Sequence, residues 1–313
     1  VVGVARLLEP SSYLGAGLAA AAPSGVLTGA LAVLAFAVLA LSSRGVGRRG
    51  AALGLVLALA ATGAHAWWLA PLYTGSAPRA TGDGLVVMVQ NLEYGSVADL
   101  ERVVDSHDVD LLVLVDLNPA QQDAVLASGL PSRFAAGGAP DPRGGTLVLS
   151  RFALRDTTDL TADQRSQLVR VSGSPAGDLV LAAAHPAAPY SEGTRPWRSQ
   201  LEQVAAGVSA AGRGADGAVL LLGDLNATPD HRPFRDLLAS TGLRDAAELA
   251  NLGWSPTFPA NGLHTTRGLR LPPVVAIDHV LVGRALTVTA VERVDVVGTD
   301  HHGVVARVAR AAG

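Results

Sequence analysis

Two long apolar runs near the start of the chain restrict its fold more than any other feature. Residues 25–41 and residues 51–73 contain no Asp, Glu, Lys or Arg. Each run approaches the roughly 20 residues that a helix needs to span a bilayer. One such run is also compatible with a buried helix of a soluble protein, but two in tandem favour a pair of transmembrane helices.

The residues around these runs predict how the helices are oriented. Three arginines lie in the short connection at residues 44–49, which the positive-inside rule places in the cytoplasm. Trp67, Trp68 and Tyr73 lie near the end of the second run, where interfacial aromatic residues are common. We therefore expect residues 1–73 to form an anchor in the cell membrane, with about two transmembrane helices, and the rest of the chain to be extracytoplasmic.

The beginning of the chain leaves two alternatives open. Residues 11–22 are apolar and Ala-rich and end before Pro23, so they either extend the first helix or belong to a further, truncated span. Because the chain begins at Val1, we expect its N-terminus to be incomplete or processed.

The composition changes after the second apolar run. Residues 74–84 are rich in Gly, Ser, Pro and Thr, which indicates a linker, and residues 85–313 then form a separate domain. Short runs rich in Val and Leu predict strands at 85–89, 111–115, 146–149, 179–184, 219–222, 276–282 and 304–308. Helical patterns occupy residues 97–105, 119–128, 195–211 and 233–240. This alternation, with several hairpin-like pairs of strands, predicts a layered α/β domain.

Charge and cysteine content narrow the chemistry. The net charge of −3 gives no broad basic surface for nucleic acid. The chain has no cysteine, which excludes disulfides and thiolate metal sites and is compatible with either side of a membrane.

The segment Gly223-Asp224-Leu225-Asn226 directly follows the predicted strand at 219–222. Asp224 and Asn226 are two residues apart, so in extended chain their side chains point to the same face. A carboxylate and an amide at the end of a buried strand can hold a hard cation, or a water and a phosphoryl oxygen. The alternative is that both are ordinary turn residues that cap the next helix.

Other polar residues stand at the ends of predicted strands in the same way. They are Asn91, Asp116, His185, Asp278 with His279, and Asp300 with His301 and His302. Each of them alone is compatible with a turn or a packed side chain. Their repetition at strand ends predicts that acidic, amide and imidazole groups converge at one sheet edge.

The order of these motifs resembles a known superfamily. Asn-Leu-x-x-Gly comes first, then a strand that ends in an acid, Leu-Ser-Arg, a strand that ends in His, Gly-Asp-Leu-Asn-x-x-Pro, Ile-Asp-His-Val and Thr-Asp-His. This series resembles the endonuclease/exonuclease/phosphatase superfamily, with the DNase I-like fold, over about residues 85–311. The two-helix leader and His-Pro-x-x-Pro are similar to its membrane-anchored actinobacterial branch, which includes glycopeptide-resistance proteins.

The resemblance implies a four-layer αββα sandwich, here preceded by transmembrane helices, and a phosphoester hydrolase that depends on Mg²⁺ or Mn²⁺. It implies that Asp116, Asn91 and Asp300 surround the metal. The superfamily usually has Glu where this chain has Asp116, whose side chain is one methylene shorter. The metal is then bound through water or held less tightly.

The resemblance also implies roles at the phosphate. Asp224 would orient or deprotonate the attacking water, and Asn226 would hold a phosphoryl oxygen. His185 would donate a hydrogen bond to the phosphate or assist the leaving group. His301 would bind the phosphate and be oriented by Asp278, as a carboxylate orients an imidazole.

Three further residues are expected to lie outside this group. Because neighbouring residues on a strand point to opposite faces, His279 and His302 are expected to point away from it. Arg151 in Leu-Ser-Arg is expected to be structural.

Three hypotheses about the substrate follow. The first is a lipid or other cell-envelope phosphoester, which the anchor would bring close to the site, and the resemblance points to polyprenyl-pyrophosphate or related lipids. The second is a surface nuclease acting on DNA or RNA, which needs several basic contacts to phosphates. Candidates for these contacts are Arg133, Arg143, Arg195, Arg267 and Arg270. The third is a catalytically inactive membrane-proximal binding domain, supported only by Asp116 in place of Glu.

Overall fold

The computed structural model describes residues 1–8, 11–134, 142–266 and 269–312. Within these residues, five helices precede the first strand. They are α1 (Val2–Leu8), α2 (Tyr13–Ala20), α3 (Ser24–Ser42), α4 (Gly45–Leu69) and α5 (Pro71–Thr74). The two predicted apolar runs correspond to α3 and to α4 with α5, because Pro71 begins a new short helix after Leu69.

Helices α3 and α4 are long and apolar enough to cross a membrane. They pack closely against each other at Gly29, which faces Thr62, and at Gly54, which faces Phe36. A Cβ atom at either glycine would clash with the facing side chain. Small residues allow such close approach between membrane helices. The outer face is apolar and exposed, whereas a core helix of a soluble protein would bury it: only 6% of the apolar window of each helix is buried.

Helices α1 and α2 pack on the domain that follows the anchor. Arg6 Nε lies 2.6 Å from Asp230 Oδ1, and Ala16 is fully buried in that domain's core. The carbonyl oxygen of Ala16 lies 3.0 Å from Nε2 of His231. Residues 11–22 therefore contribute a separate short helix that is fixed to the domain, distinct from the long helix α3.

The domain itself contains thirteen strands and six helices among the described residues. The strands are β1 (Ala80–Asn91), β2 (Leu111–Val115), β3 (Leu147–Ser150), β4 (Ala153–Asp159), β5 (Gln167–Ser172), β6 (Leu179–Ala184), β7 (Val219–Asp224), β8 (Arg244–Asp245), β9 (Thr265–Thr266), β10 (Leu269–Arg270), β11 (Asp278–Val282), β12 (Leu286–Val294) and β13 (Gly303–Ala311). The helices are α6 (Val97–His107), α7 (Pro119–Ala127), α8 (Leu130–Arg133), α9 (Thr194–Gly214), α10 (Arg232–Thr241) and α11 (Ala246–Leu249).

The strands form two mixed sheets and a small hairpin. The first sheet has the order β12-β13-β1-β2-β3, the second has the order β4-β5-β6-β7-β11-β8, and β9 pairs with β10. Strands β1 and β2 are parallel, as are β6 and β7, and their neighbours are antiparallel.

Three apolar clusters define four layers. On β7, Leu220 and Leu222 point into the cluster between the two sheets, whereas Val219 and Leu221 point to α9 and α10. The first sheet alternates in the same way between the central cluster and the helices α6 to α8. Strands buried on both faces need apolar residues at every position, which explains their continuous apolar runs. The predicted αββα sandwich is confirmed.

Several strands lack that signal and were not predicted from the sequence. Strand β4 has no buried residue, β5 alternates between buried and less buried positions, and β12 is buried only at its two ends. Because their exposed faces carry polar and charged residues, no continuous apolar run marks them. Strand β1 begins at Ala80, so it also includes residues whose composition indicates a linker.

The contact between Arg6 and Asp230 provides a test of the docked helices. The two side chains are only 13% and 9% exposed, so Arg6→Ala leaves a carboxylate buried without its partner. We expect a local destabilisation of about 1–3 kcal/mol, below that of a fully buried pair. Amide hydrogen exchange of residues 228–235 in the full-length chain should then be faster.

The matched control is Arg232→Ala at the start of α10, two residues after Asp230. Arg232 and Asp236 form an exposed pair 3.5 Å apart, so we expect a change below about 0.5 kcal/mol. Removing both Arg6 and Asp230 side chains should recover part of the loss. Unchanged exchange in Arg6→Ala would show that the two helices are not fixed to the domain.

Candidate active site

The strands bring the predicted polar residues to one edge of the two sheets. Asn91 and Asp224 end β1 and β7, and Asp278 lies directly opposite Asp224 across the antiparallel pair β7–β11. Because β1 and β2 are parallel, as are β6 and β7, the residues after these strands reach the same edge. The eight predicted side chains that the structure brings together there are Asn91, Asp116, His185, Asp224, Asn226, Asp278, Asp300 and His301.

The carboxylate of Asp224 is the centre of this group and is 1% exposed. Its Oδ2 accepts a hydrogen bond from Asn91 Nδ2 at 3.1 Å and lies 3.7 Å from His301 Nε2 and 3.9 Å from His185 Nε2. Its Oδ1 accepts a hydrogen bond from the backbone N–H of Asn226 at 2.8 Å. Burial and the nearby charge of Asp278 raise the pKa of Asp224, although both imidazoles oppose this shift.

His301 is held by a buried carboxylate. Its Nδ1 lies 2.8 Å from Asp278 Oδ2, and this contact leaves Nε2 directed towards Asp224. Burial lowers the pKa of His301, but the negative charges of Asp278 and Asp224 outweigh it and raise the pKa to about 10. His301 is therefore a cation at neutral pH, and it partly neutralises two buried carboxylates.

Asp116 and Asp300 lie at the outer side of the group. Asp116 Oδ2 is 4.0 Å from His185 Nε2, and Asp300 Oδ1 is 4.0 Å from His301 Nε2. The backbone of Asp116 is left-handed with φ of 59°, a conformation in which Asp is enriched over longer side chains. This gives a local physical reason for Asp at a position where Glu is expected.

Asn226 is positioned by the turn after β7. Its backbone is also left-handed, with φ of 50°, and its Nδ2 donates to the carbonyl oxygen of Pro186 at 3.1 Å. A side-chain amide carries two N–H donors, so the second is available to a bound oxygen. Asn226 is therefore a turn residue, and its side-chain amide also faces the candidate site.

The group fits a divalent cation. Asp224, Asp278 and His301 each offer a ligand atom, and these atoms lie within 4.8 Å of one another. Because His301 is protonated and bonded to Asp278, the oxygen ligands of Asn91, Asp116, Asp224 and Asp300 suit a hard cation better. Among the described residues, Asp300 Oδ1 is a buried acceptor without a hydrogen-bond partner, as expected of an oxygen that serves a metal.

The structure adds side chains that sequence reasoning missed. His264 Nε2 lies 2.6 Å from Asp300 Oδ2, and the ring of Phe258 packs between His264 and His301 with centroid distances of 5.0 and 4.8 Å. His264 does not follow an apolar run, so the criterion of polar residues at strand ends did not identify it. Glu93 lies two residues after Asn91, the same spacing that relates Asn226 to Asp224. Burial, and then the charges of Asp116 and Asp300, raise the pKa of Glu93.

The residues expected outside the site are outside it. His279 points to the opposite face, where Nδ1 lies 3.1 Å from Asp245 Oδ2 and Nε2 lies 2.9 Å from the carbonyl oxygen of Ala227. His302 pairs with Asp295. Arg151 forms a surface pair with Asp108 at 2.7 Å.

The comparisons with known proteins agree with this geometry. The chain belongs to the Endonuclease/Exonuclease/phosphatase family, whose sequence model matches residues 88–301. It is thus a phosphoester hydrolase with the DNase I-like fold. No curated protein matches the chain in sequence.

Solved structures share the fold at low identity. An endonuclease/exonuclease/phosphatase family protein from Bacteroides thetaiotaomicron is 15% identical, with a TM-score of 0.56, 74% of this chain covered and 100% of that chain. A mannosyl-6-phosphatase from the same species is 16% identical, with a TM-score of 0.54 and coverages of 72% and 99%. A beta toxin variant from Staphylococcus aureus with bound magnesium ions is 12% identical, with a TM-score of 0.50 and coverages of 72% and 99%.

The pairing of His301 with Asp278 predicts a pH dependence. The pKa of His301 is about 10 in the folded chain and about 6.5 when unfolded, so its charge stabilises the fold fully below pH 6.5. This contribution is lost as the pH rises from about 6.5 to about 10. In Asp278→Asn, imidazole titration followed by NMR without metal should show His301 losing its proton at lower pH than in the wild type. An unchanged titration would contradict the assigned pairing.

Proposed function

We propose that this chain is a membrane-anchored, extracytoplasmic phosphohydrolase that depends on Mg²⁺ or Mn²⁺ and acts on a lipid or other cell-envelope phosphoester. The observation that carries the proposal is the buried Asp224 carboxylate, surrounded by an amide and two imidazoles in a domain that is fixed to two membrane-length helices. Such a group positions and neutralises a phosphoryl group, which is most of what phosphoryl transfer requires.

The side-chain oxygens on the outer side of the site would hold the metal. Asn91, Asp116 and Asp300 are proposed as its ligands, and a bound cation would neutralise charge on the phosphoryl oxygens and on the leaving oxygen. Asp224 faces this region with one carboxylate oxygen, next to the amide of Asn91. The negative charge of the carboxylates, only partly neutralised by His301, is what makes a divalent cation favourable there.

The remaining side chains would act on the water and the phosphate. Asp224 is proposed to accept a proton from the attacking water, and its raised pKa makes it a stronger base than an exposed carboxylate. The second N–H of Asn226 and Nε2 of His301 would each donate to a phosphoryl oxygen, and Asp278 keeps the His301 ring in place. His185 would donate to the phosphate or to the leaving oxygen.

The anchor supports the proposed location. Arg44 lies in the two-residue connection between α3 and α4, whereas Arg48 and Arg49, expected in a connection at residues 44–49, lie near the start of α4. The opposite ends of the two helices adjoin the domain. If this connection is cytoplasmic, the helix pair places the domain outside. The docked helices α1 and α2 then also lie outside, in agreement with their contacts to the domain.

Two of the candidate arginines for a nucleic-acid groove already have acidic partners. Arg133 pairs with Asp105, and Arg143 lies 3.2 Å from Asp159. Arg267 lies outside the described residues. The inactive-domain hypothesis is also disfavoured, because an unused site has no physical need for buried carboxylates held beside imidazoles.

The decisive variant is Asp224→Asn in the full-length chain, which keeps the side-chain shape and removes the base. We expect phosphate release from a polyprenyl pyrophosphate to fall by about 10²–10⁴-fold, and EDTA to abolish the wild-type activity. Plasmid cleavage is measured in parallel with Mg²⁺ and Mn²⁺. The matched control is Asp156→Asn on edge strand β4, where the carboxylate is 73% exposed.

Each outcome has a distinct meaning. Metal-dependent lipid hydrolysis that Asp224→Asn loses and Asp156→Asn keeps supports the proposal. Cleavage of DNA alone would replace it with a surface nuclease. No reaction on either substrate with any metal would favour the binding domain.

Metal binding tests the outer ligands without relying on turnover. Calorimetric titration with Mn²⁺ should show a loss of about 10–100-fold in affinity for Asp116→Ala, since it removes one of few charged ligands. Asp178→Ala, near the start of β6 and away from the site, is the control and should bind as the wild type does. Equal affinity in all three proteins would remove Asp116 from the metal site.

A further inference from the structure

A cleft lies between the end of the anchor and the α/β domain. Its anchor wall contains Trp68, Leu69 and Leu72, and its domain wall contains Leu252 and Val274 among other residues. The cleft has a volume of about 60 Å³. Most of its lining is apolar, as is typical of pockets that bind small molecules.

Three hydrogen bonds fix the two walls relative to each other. The N–H of Gly253 donates to the carbonyl oxygen of Leu72 at 2.9 Å, and the N–H of Trp254 donates to Tyr73 Oη at 3.1 Å. Asn251 Nδ2 donates to the carbonyl oxygen of Gly75 at 2.9 Å. Three residues of one loop, Asn251, Gly253 and Trp254, therefore hold the segment that follows α4, so the cleft is a defined feature of the fold.

The outer part of the cleft adjoins the expected membrane interface. Its anchor wall is formed by the last turn of α4 and by α5, where aromatic residues mark a bilayer interface. Trp254 and Val274 remain 45% and 46% exposed here, although both are large and apolar. An apolar occupant from the bilayer would cover them.

The inner part of the cleft reaches the back of the active site. Thr257 and Asp278 line it, and the Asp278 backbone N–H donates to Thr257 Oγ1 at 3.3 Å. The carboxylate of Asp278 binds His301 on its other side. The cleft thus runs from an apolar end at the membrane to a polar end beside the phosphate-binding group, which is the polarity of an amphiphile.

The acidic residues in the wall do not prevent an apolar occupant. Asp245 is paired with His279 at 3.1 Å, so its charge is matched inside the domain. Burial raises the pKa of Glu248 to about 7, so this side chain is only partly ionised at neutral pH and becomes largely uncharged below it.

We propose that this cleft holds a hydrocarbon chain of a membrane lipid whose phosphate lies at the active site. The inference rests on the proposed function and extends it, because it makes the membrane helices one wall of the substrate-binding site. It also states how the lipid is selected: the anchor and the domain together bind its chain, while the strand-end residues bind its head group.

The test compares two substrates with the same head group in the full-length chain. Ala247 lines the cleft away from the strand-end residues, and Ala247→Phe fills it. We expect kcat/KM for a polyprenyl pyrophosphate to fall about tenfold or more, because a blocked apolar subsite loses its contacts with the chain. The activity on isopentenyl pyrophosphate, which is too short to occupy the cleft, should stay within about twofold. Ala127→Phe, on exposed helix α7, is the matched control.

A second measurement does not depend on catalysis. An isoprenyl phosphate with a diazirine group in its chain is incorporated into vesicles with the full-length protein and activated by light. Labelling of the segments 246–254 or 274–276 is expected in the wild type, and its loss is expected in Ala247→Phe.

The outcomes separate this proposal from the proposed function. Label confined to α3 and α4 in the wild type would overturn the cleft proposal, whatever the activity. Where the wild type hydrolyses both substrates, equal effects of Ala247→Phe on the two, or no effect on either, would also overturn it. If neither pyrophosphate is hydrolysed but the two segments are labelled and Ala247→Phe abolishes that labelling, the lipid-binding cleft stands and the hydrolase proposal fails.

Discussion

The structure of the site depends on one constraint, the burial of two carboxylates next to each other. Asp224 and Asp278 face each other across β7 and β11, away from bulk water, and this is unfavourable unless positive charge is supplied. His301 supplies part of it through its contact with Asp278. The remaining negative charge favours the divalent cation proposed for this site, so the arrangement that destabilises the fold without metal would also bind the metal.

The N-terminal helices contact the loop that directly follows Asp224. The loop after β7 carries Asn226 and then Asp230, which pairs with Arg6 of the first helix. His231 in the same loop contacts the second helix through the carbonyl oxygen of Ala16. A helix that only tethered the domain would need no such buried contacts. The N-terminal helices instead support the loop that carries Asn226, the amide proposed to bind phosphate.

The sequence predicts the parts of this structure that depend on local pattern. Strands β2 and β6 match their predicted bounds because both faces are buried and every position is apolar. The predicted side chains Asn91, Asp116, His185 and Asp224 come together because β1 is parallel to β2 and β6 is parallel to β7, so the ends of these strands reach one edge. The contacts of His264 with Asp300 and of Arg6 with Asp230 were not predictable, since they join residues 36 and 224 positions apart without any periodic pattern.

The position of the metal is the most direct test of the account. Crystals of the full-length chain soaked in Mn²⁺ would locate the ion by its anomalous scattering, independently of any substrate. We predict one strong peak on the outer side of Asp224, coordinated by oxygens from Asp116 and Asp300 and adjacent to Asn91, with the His301–Asp278 contact preserved. A peak bound directly to His301 in place of that contact, or no peak at the strand ends, would contradict the assigned site.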